Sequence, residues 1–181
     1  LCTLRCAVTR YGARLMQKVS IFVDAQNVYY TTKQAFACGF DYNQFWARVT
    51  QDRQVVKAIA YSSDRGDSKQ RQFQNILRAI GFDVKLKPYI QRADGSSKCD
   101  WDVGITIDAM KAAPECDVIV LVSGDGDFDR LLSTLNADHG VYTEVYGVAA
   151  LTAGSLIDAA SRFIPIEGDL LLAKKSPPKR A

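Results

Sequence analysis

The stretch that most constrains this chain is Val118-Ile-Val-Leu-Val-Ser-Gly-Asp125-Gly-Asp127-Phe-Asp129. Five consecutive apolar residues, Val118 to Val122, predict a strand buried on both faces, as a parallel sheet requires. Ser123-Gly124 signals a turn, and carboxylates follow at alternate positions 125, 127 and 129. Beyond them Phe128, Leu131, Leu132 and Leu135 recur at helical spacing. A strand, a tight turn and an acidic helix start form the unit around which open α/β sheets build their crevices, because ligands collect beyond the carboxyl ends of the strands. The same Asp residues also suit helix caps and the positive end of a helix dipole. Caps alone would leave like charges crowded together, a repulsion that a cation removes.

The rest of the chain alternates strand and helix. Val19–Val23 predicts a first strand ending at Asp24, Val55–Tyr61 a second, and Phe82–Tyr89 a third whose period-two pattern and Pro88 place it at an edge. Val141–Tyr146 and Phe163–Ile166 complete the set. Helices are expected over 41–50, 68–80, 100–112 and 149–160, with 28–38 a loop or short helix and 91–99 a polar loop. Phe73, Ile76, Leu77 and Ile80 should form one buried helix face, and Val103, Ile105, Ile107 and Met110 another. This alternation predicts an α/β protein of three α/β/α layers, with a mainly parallel, Rossmann-like sheet in the order 3-2-1-4-5. Its switch point falls between strands 1 and 4, where Asp24 meets Asp125 and Asp127. Asp100 is the natural cap of the helix preceding strand 4, and Asp102 in its first turn points at the same end of the sheet. Asp108, six residues on, lies near the same helix face. It is either salt-bridged within the helix layer or part of the site.

Charge is unevenly spread. The formal net charge is +3, but Arg5, Arg10 and Arg14 at one end and Lys174, Lys175, Lys179 and Arg180 at the other carry the excess. Residues 16–173 hold sixteen basic and twenty acidic side chains, and seventeen of those acids are Asp, a cap former and hard-cation ligand. Five cysteines without a C-x-x-C pair, and His139 as the only histidine, disfavour zinc and a disulfide framework and fit a reducing cytoplasm. No apolar run approaches a membrane span. Met16 stands directly before the first strand. The expected organisation is therefore an upstream or non-native extension at 1–15, a domain at 16–168, and a basic, disordered tail at 169–181.

Three pieces in order, Ile-Phe-Val-Asp24-Ala-Gln-Asn27-Val, Lys98-Cys-Asp-Trp-Asp102-Val-Gly-Ile-Thr-Ile-Asp108-Ala and Val-Ser123-Gly-Asp125-Gly-Asp127-Phe, resemble the NYN domain family, the LabA-like branch of the PIN-like nuclease superfamily. The closing Ser-Arg-Phe163-Ile-Pro-Ile is similar to the family's last strand, so the likeness spans about Val19 to Ile166. It implies a PIN-like sheet whose acids, here Asp24, Asp102, Asp125 and Asp127, bind Mg²⁺ or Mn²⁺ and hydrolyse RNA. Asn27 and Ser123 would orient the ligands or the attacking water. Ala25-Gln26 departs from the family's usual first motif, while Asp24 and Asn27 retain it. Family members differ in whether nuclease activity is demonstrable, so a catalytically weak RNA- or protein-binding module of the same fold is the alternative.

Phosphodiester cleavage needs a polarised phosphoryl oxygen, an activated water and a stabilised leaving oxygen, which carboxylate-held Mg²⁺ supplies. A single-stranded RNA partner calls for cations and aromatics at the rim: Arg65, Lys69, Arg92 and Lys98, with Arg71 and Arg78 behind them, and Tyr29, Tyr30 and Tyr61 for base stacking. A homodimer or protein partner is compatible with the chain; a membrane is not. Gln26 stands where a haloacid-dehalogenase phosphatase needs a second Asp, and no Asn beyond Asn136 completes a thiamine-diphosphate motif at Gly124-Asp125-Gly126. Asp24-Ala-Gln-Asn27 offers no glycine for a phosphate loop.

Overall fold

The computed structural model describes residues 16–64, 66–88, 90–91, 97–98 and 100–173, with backbone alone for 90–91 and 97–98. Among the described residues lie eight strands and six α-helices: β1 Gln17–Asp24, α1 Ala25–Phe36, α2 Tyr42–Thr50, β2 Arg53–Asp64, α3 Ser68–Ile80, β3 Asp83–Pro88, β4 Ile90–Gln91, β5 Ser97–Lys98, α4 Asp102–Ala112, β6 Val118–Val122, α5 Asp129–His139, β7 Tyr142–Gly147, α6 Gly154–Ala159 and β8 Arg162–Pro165. The main sheet runs β3-β2-β1-β6-β7-β8, parallel throughout, and β1 lies between β2 and β6 as the predicted order requires. The switch point therefore falls between β1 and β6.

Alternate residues of β1 serve opposite layers. Val19, Ile21 and Val23 pack with Val28, Phe45 and Leu77 from α1, α2 and α3. Phe22 packs on the other face with Ile105, Leu132 and Leu156 from α4, α5 and α6. These two cores are the three-layer α/β/α arrangement, and all five residues of β6 are buried between them.

Several local expectations change. The segment at 28–38 lies in a full helix, α1, capped by Asp24 and burying Ala25, Val28 and Thr32. On α3, Gln74 and Leu77 are buried while Ile76 faces solvent. On α4 the buried face is Ile105, Ala109 and Ala112, with Val103 70% exposed and Ile107 exposed as well. Small residues there let the helix approach the sheet more closely than the larger ones would. The loop at 91–99 contains a short antiparallel pairing of β4 with β5. The helix expected over 149–160 is broken into a 3₁₀ turn, Ala149–Leu151, and α6. At the C-terminal end, packing continues past the expected boundary at 168: Leu170 is fully buried, Leu172 N–H donates to Gly39 O at 2.8 Å, and Arg48 pairs with Asp169 at 2.7 Å. The expected extension at 1–15 and residues 174–181 lie outside the described residues.

Away from the acidic end, Arg53 at the start of β2 makes a bidentate pair with Glu144 on β7, both contacts 2.8 Å, and the Glu144 side chain is only 4% exposed. Removing one member of such a pair strands a buried charge. Arg53→Ala should lower unfolding free energy by about 3–5 kcal/mol in urea titrations. The double variant Arg53→Met/Glu144→Leu should lose far less; equal losses would show that packing, not charge pairing, is at work.

Candidate functional site

Asp24 closes β1 and caps α1, its Oδ1 accepting the Asn27 N–H at 3.0 Å. Asn27 Oδ1 in turn accepts the Gly124 N–H at 3.0 Å, fastening the first turn of α1 to the turn after β6. Ser123 is almost fully buried and its Oγ accepts the Asp125 N–H at 3.2 Å. Asp125 Oδ1 accepts the Asp127 N–H at 3.0 Å and caps a 3₁₀ turn, Gly126–Phe128. Asn27 and Ser123 therefore hold the backbone of the acidic turn. The break at 152–153 belongs to the same arrangement, because the Ala153 N–H donates to Gly124 O at 3.0 Å. A Cβ on Gly124 would stand 2.9 Å from the Leu151 carbonyl oxygen, so this close approach requires glycine.

From the other helix layer, Asp102 opens α4 and donates its N–H to Asp100 Oδ1 at 2.8 Å. Trp101, not Asp100, occupies the cap position. Its indole N–H donates to Ser62 O at 3.1 Å, its ring lies 5.2 Å from that of Tyr61, and it packs over Gly104. Lys87 sits 4.4 Å from the Trp101 ring centre and donates to the Asp100 carbonyl. Trp101 and Lys87 thus set the end of α4 from which Asp102 projects. The sequence reading passed over both, and the signal available was a tryptophan three residues before a helix glycine.

Carboxylate oxygens of Asp102, Asp125 and Asp127 consequently lie within 4.8 Å of one another. Asp24, the fourth predicted ligand, is not in that group, but the charges of Asp125 and Asp100 reach it: burial, and then those charges, push its carboxyl up to about 6 against two backbone N–H bonds that pull it down. Burial also leads for Asp102, followed by its hydrogen bond and repulsion with Asp100 and by the charges of Asp125 and Asp24, and pushes it up to about 7. The charges that act most strongly on both are carboxylates, so Asp100 joins the cluster as an acid that the sequence reading treated only as a cap. The donor set is all oxygen and anionic, which suits Mg²⁺ or Mn²⁺. Oxygens around an octahedral Mg²⁺ are ~3 Å apart at adjacent positions and ~4.2 Å at opposite ones, so oxygens lying within 4.8 Å of one another must draw together to close on the ion.

The remaining predicted residues separate. Asp108 is tied to Lys85 at 2.6 Å and to the Tyr61 hydroxyl at 2.7 Å, and those two hydrogen bonds outweigh its burial and hold its carboxyl below the usual range. It is a salt-bridged residue of the helix layer. Tyr61 is fully buried and presents no face to a base. Tyr29 and Tyr30 are exposed on α1, Lys69 is exposed at the start of α3, and all three border a cleft next to Asp24. Arg65, Arg92 and the side chain of Lys98 lie outside the described residues. His139 ends α5 on the surface.

A parallel α/β sheet with a carboxylate cluster at its switch point is consistent with the PIN-like architectural class. The NYN domain model matches residues 18–167, and the chain belongs to the NYN domain family. It is 29% identical over 159 residues to the low amplitude and bright protein LabA of Synechococcus elongatus, covering 82% of this chain and 83% of that one. A crystal structure of a protein of unknown function from Vibrio parahaemolyticus superposes with a TM-score of 0.84 at 52% identity, over 89% of this chain and 99% of the other. Among the described residues no helix is long and apolar enough to cross a membrane. Family and cluster together support a nuclease-type or regulatory module.

The raised carboxyls have a thermodynamic consequence. A carboxyl held above its unfolded value of ~3.9 keeps a proton in the folded state that the unfolded chain gives up, so its contribution is favourable below that value and is lost as pH rises through the folded one. In EDTA, Tm should therefore fall as pH rises from about 4 through about 6 for Asp24 and about 7 for Asp102. Asp102→Asn should flatten the upper part of that slope, and Mn²⁺ should raise the wild-type Tm most at its upper end. Scanning fluorimetry across pH reads both effects, and an unchanged slope in Asp102→Asn would contradict the assignment.

Proposed function

We propose that the protein is a metal-dependent ribonuclease that hydrolyses phosphodiester bonds of single-stranded RNA at the carboxylate cluster. The observation that carries this reading is the convergence of Asp102, Asp125 and Asp127 from two separate segments, with Asp24 beside them. Helix capping accounts for one oxygen each of Asp24 and Asp125; it gives no reason for bringing four acids to one end of the sheet. Asp102, Asp125 and Asp127 would hold Mg²⁺ or Mn²⁺, with Asp24 completing the set. The ion supplies charge neutralisation at a phosphoryl oxygen and activation of a water.

The chain's own residues do the positioning. Asn27 and Ser123 fix the Gly124-Asp125 backbone, and Trp101 fixes the start of α4, so the carboxylates are held before substrate arrives. Tyr29, Tyr30 and Lys69 offer stacking and a phosphate contact at the rim, and Arg65, Arg92 and Lys98 are further cations that the sequence offers to the strand. The expected setting is the cytoplasm. The NYN domain is read as residues 16–168, which the family match over 18–167 supports. The excess of acidic over basic side chains in residues 16–173 favours, as the second reading, a weakly catalytic module that binds RNA or a protein.

Incubation of a mixed single-stranded RNA pool with Mn²⁺ or Mg²⁺ tests the proposal. Wild type should cleave, EDTA should abolish cleavage, and Asp125→Asn should reduce it by about 10²–10³ or more. Equal cleavage by wild type and variant would assign the activity to a contaminant. Metal binding by calorimetry without cleavage would favour the binding module.

A further inference from the structure

A cleft of about 580 Å³ opens beside the acids on the side of the sheet covered by α1, α2 and α3. Phe40, Tyr42 and Phe73 give it aromatic walls, and Tyr29, Lys33 and Lys69 border it. None of the clustered acids lines it, but neighbours of Asp24 do. Ala25 and Gln26, the residues after Asp24, line it, as do Ser62 and Ser63, which follow the β2 residue paired with Asp24. The charge of Asp24 also reaches Tyr42.

The chemistry of this lining is two-sided. Apolar and aromatic surface fills the interior, whereas exposed ammonium groups stand at Lys33 and Lys69, neither of which makes an ion pair among the described residues. The carboxylate among the lining residues, Asp67, is engaged in capping α3 through the Gln70 N–H at 2.8 Å. Tyr29 is 57% exposed and stands edge-to-face with Tyr30 at 5.4 Å, which leaves much of its surface open. A flat aromatic ring carrying an anion complements such a surface, and the volume is that of a small-molecule site. A base paired within a duplex is not available to enter it.

We propose that this cleft is a subsite for one unpaired nucleobase of the strand whose phosphodiester lies at the carboxylates. Tyr29 stacks on the base, and Lys33 and Lys69 contact the adjoining phosphates. The link to a scissile strand rests on the ribonuclease reading; binding of a nucleotide by the cleft does not. The subsite confines the protein to single strands and fixes the cut relative to the seated base.

Calorimetric titration in EDTA tests this with the four nucleoside 5′-monophosphates against ribose 5-phosphate. Without a cation the carboxylates repel phosphate and leave the cleft as the binding surface. At least one nucleotide should bind saturably below about 10 mM, with ribose 5-phosphate at least about tenfold weaker. Tyr29→Ala and Lys33→Ala, both at exposed positions, should each weaken the nucleotide by about five- to a hundredfold while leaving Tm unchanged. Equal binding of ribose 5-phosphate, indifference to both substitutions, or no nucleotide binding would overturn the proposal. Nucleotide binding without RNA cleavage would sink the nuclease reading and leave the subsite standing. Cleavage without nucleotide binding would do the reverse.

Discussion

Repulsion among carboxylates at the shared end of β1, β6 and α4 is the interaction on which the local structure depends. The acids gathered there would move apart if their backbone were free to follow. It is not free: the Asp125 turn is bonded to Asn27, Ser123 and Ala153, and the start of α4 is bonded through Trp101 to the end of β2. With the backbone held, the acids stay where they are, and burial first and their neighbours' charges after it hold Asp24 and Asp102 above the ordinary carboxylate range. A cation relieves the same stress without a proton. The cluster is therefore a place of stored unfavourable charge that a bound cation would stabilise.

The sheet order and the meeting of Asp24 with the Asp125 turn were legible because burial on both faces leaves an unbroken apolar run, and because topology alone brings β1 beside β6. The family likeness pointed the same way on the same residues. Less legible was anything decided by closeness instead of hydrophobicity. The buried face of α4 is carried by Ile105, Ala109 and Ala112, so a reading that follows the larger apolar residues puts Val103 and Ile107 inside. The split of the 149–160 helix has a similar origin, since the chain leaves helical geometry where Ala153 must reach Gly124. Asp100 looked like a cap because its role depends on a side-chain contact with Asp102, which no spacing rule reports.

The buried ion pair and the candidate site occupy opposite ends of the sheet. The acidic end carries charges that resist folding, while the other carries Arg53 and Glu144 as a buried bidentate pair and Asp117 accepting the Lys18 N–H at 2.8 Å. Between them the two cores run the full length of β1 and β6. A protein arranged this way tolerates an unfavourable site because the elements that present it are held elsewhere.

The preference for Asp over Glu follows from the double duty that this site imposes. Asp24 and Asp125 each commit Oδ1 to a backbone N–H two or three residues ahead. Capping in this way requires the short side chain, which reaches its own following turn without spare rotamers. The cap then sets the direction of the remaining oxygen, so helix start and ligand orientation are one interaction. Glutamate, with one more rotatable bond, would have to give up the cap or the orientation. Seventeen aspartates among twenty acids are thus consistent with a chain whose carboxylates work at helix and turn starts, and the candidate site gathers several of those starts at the switch point.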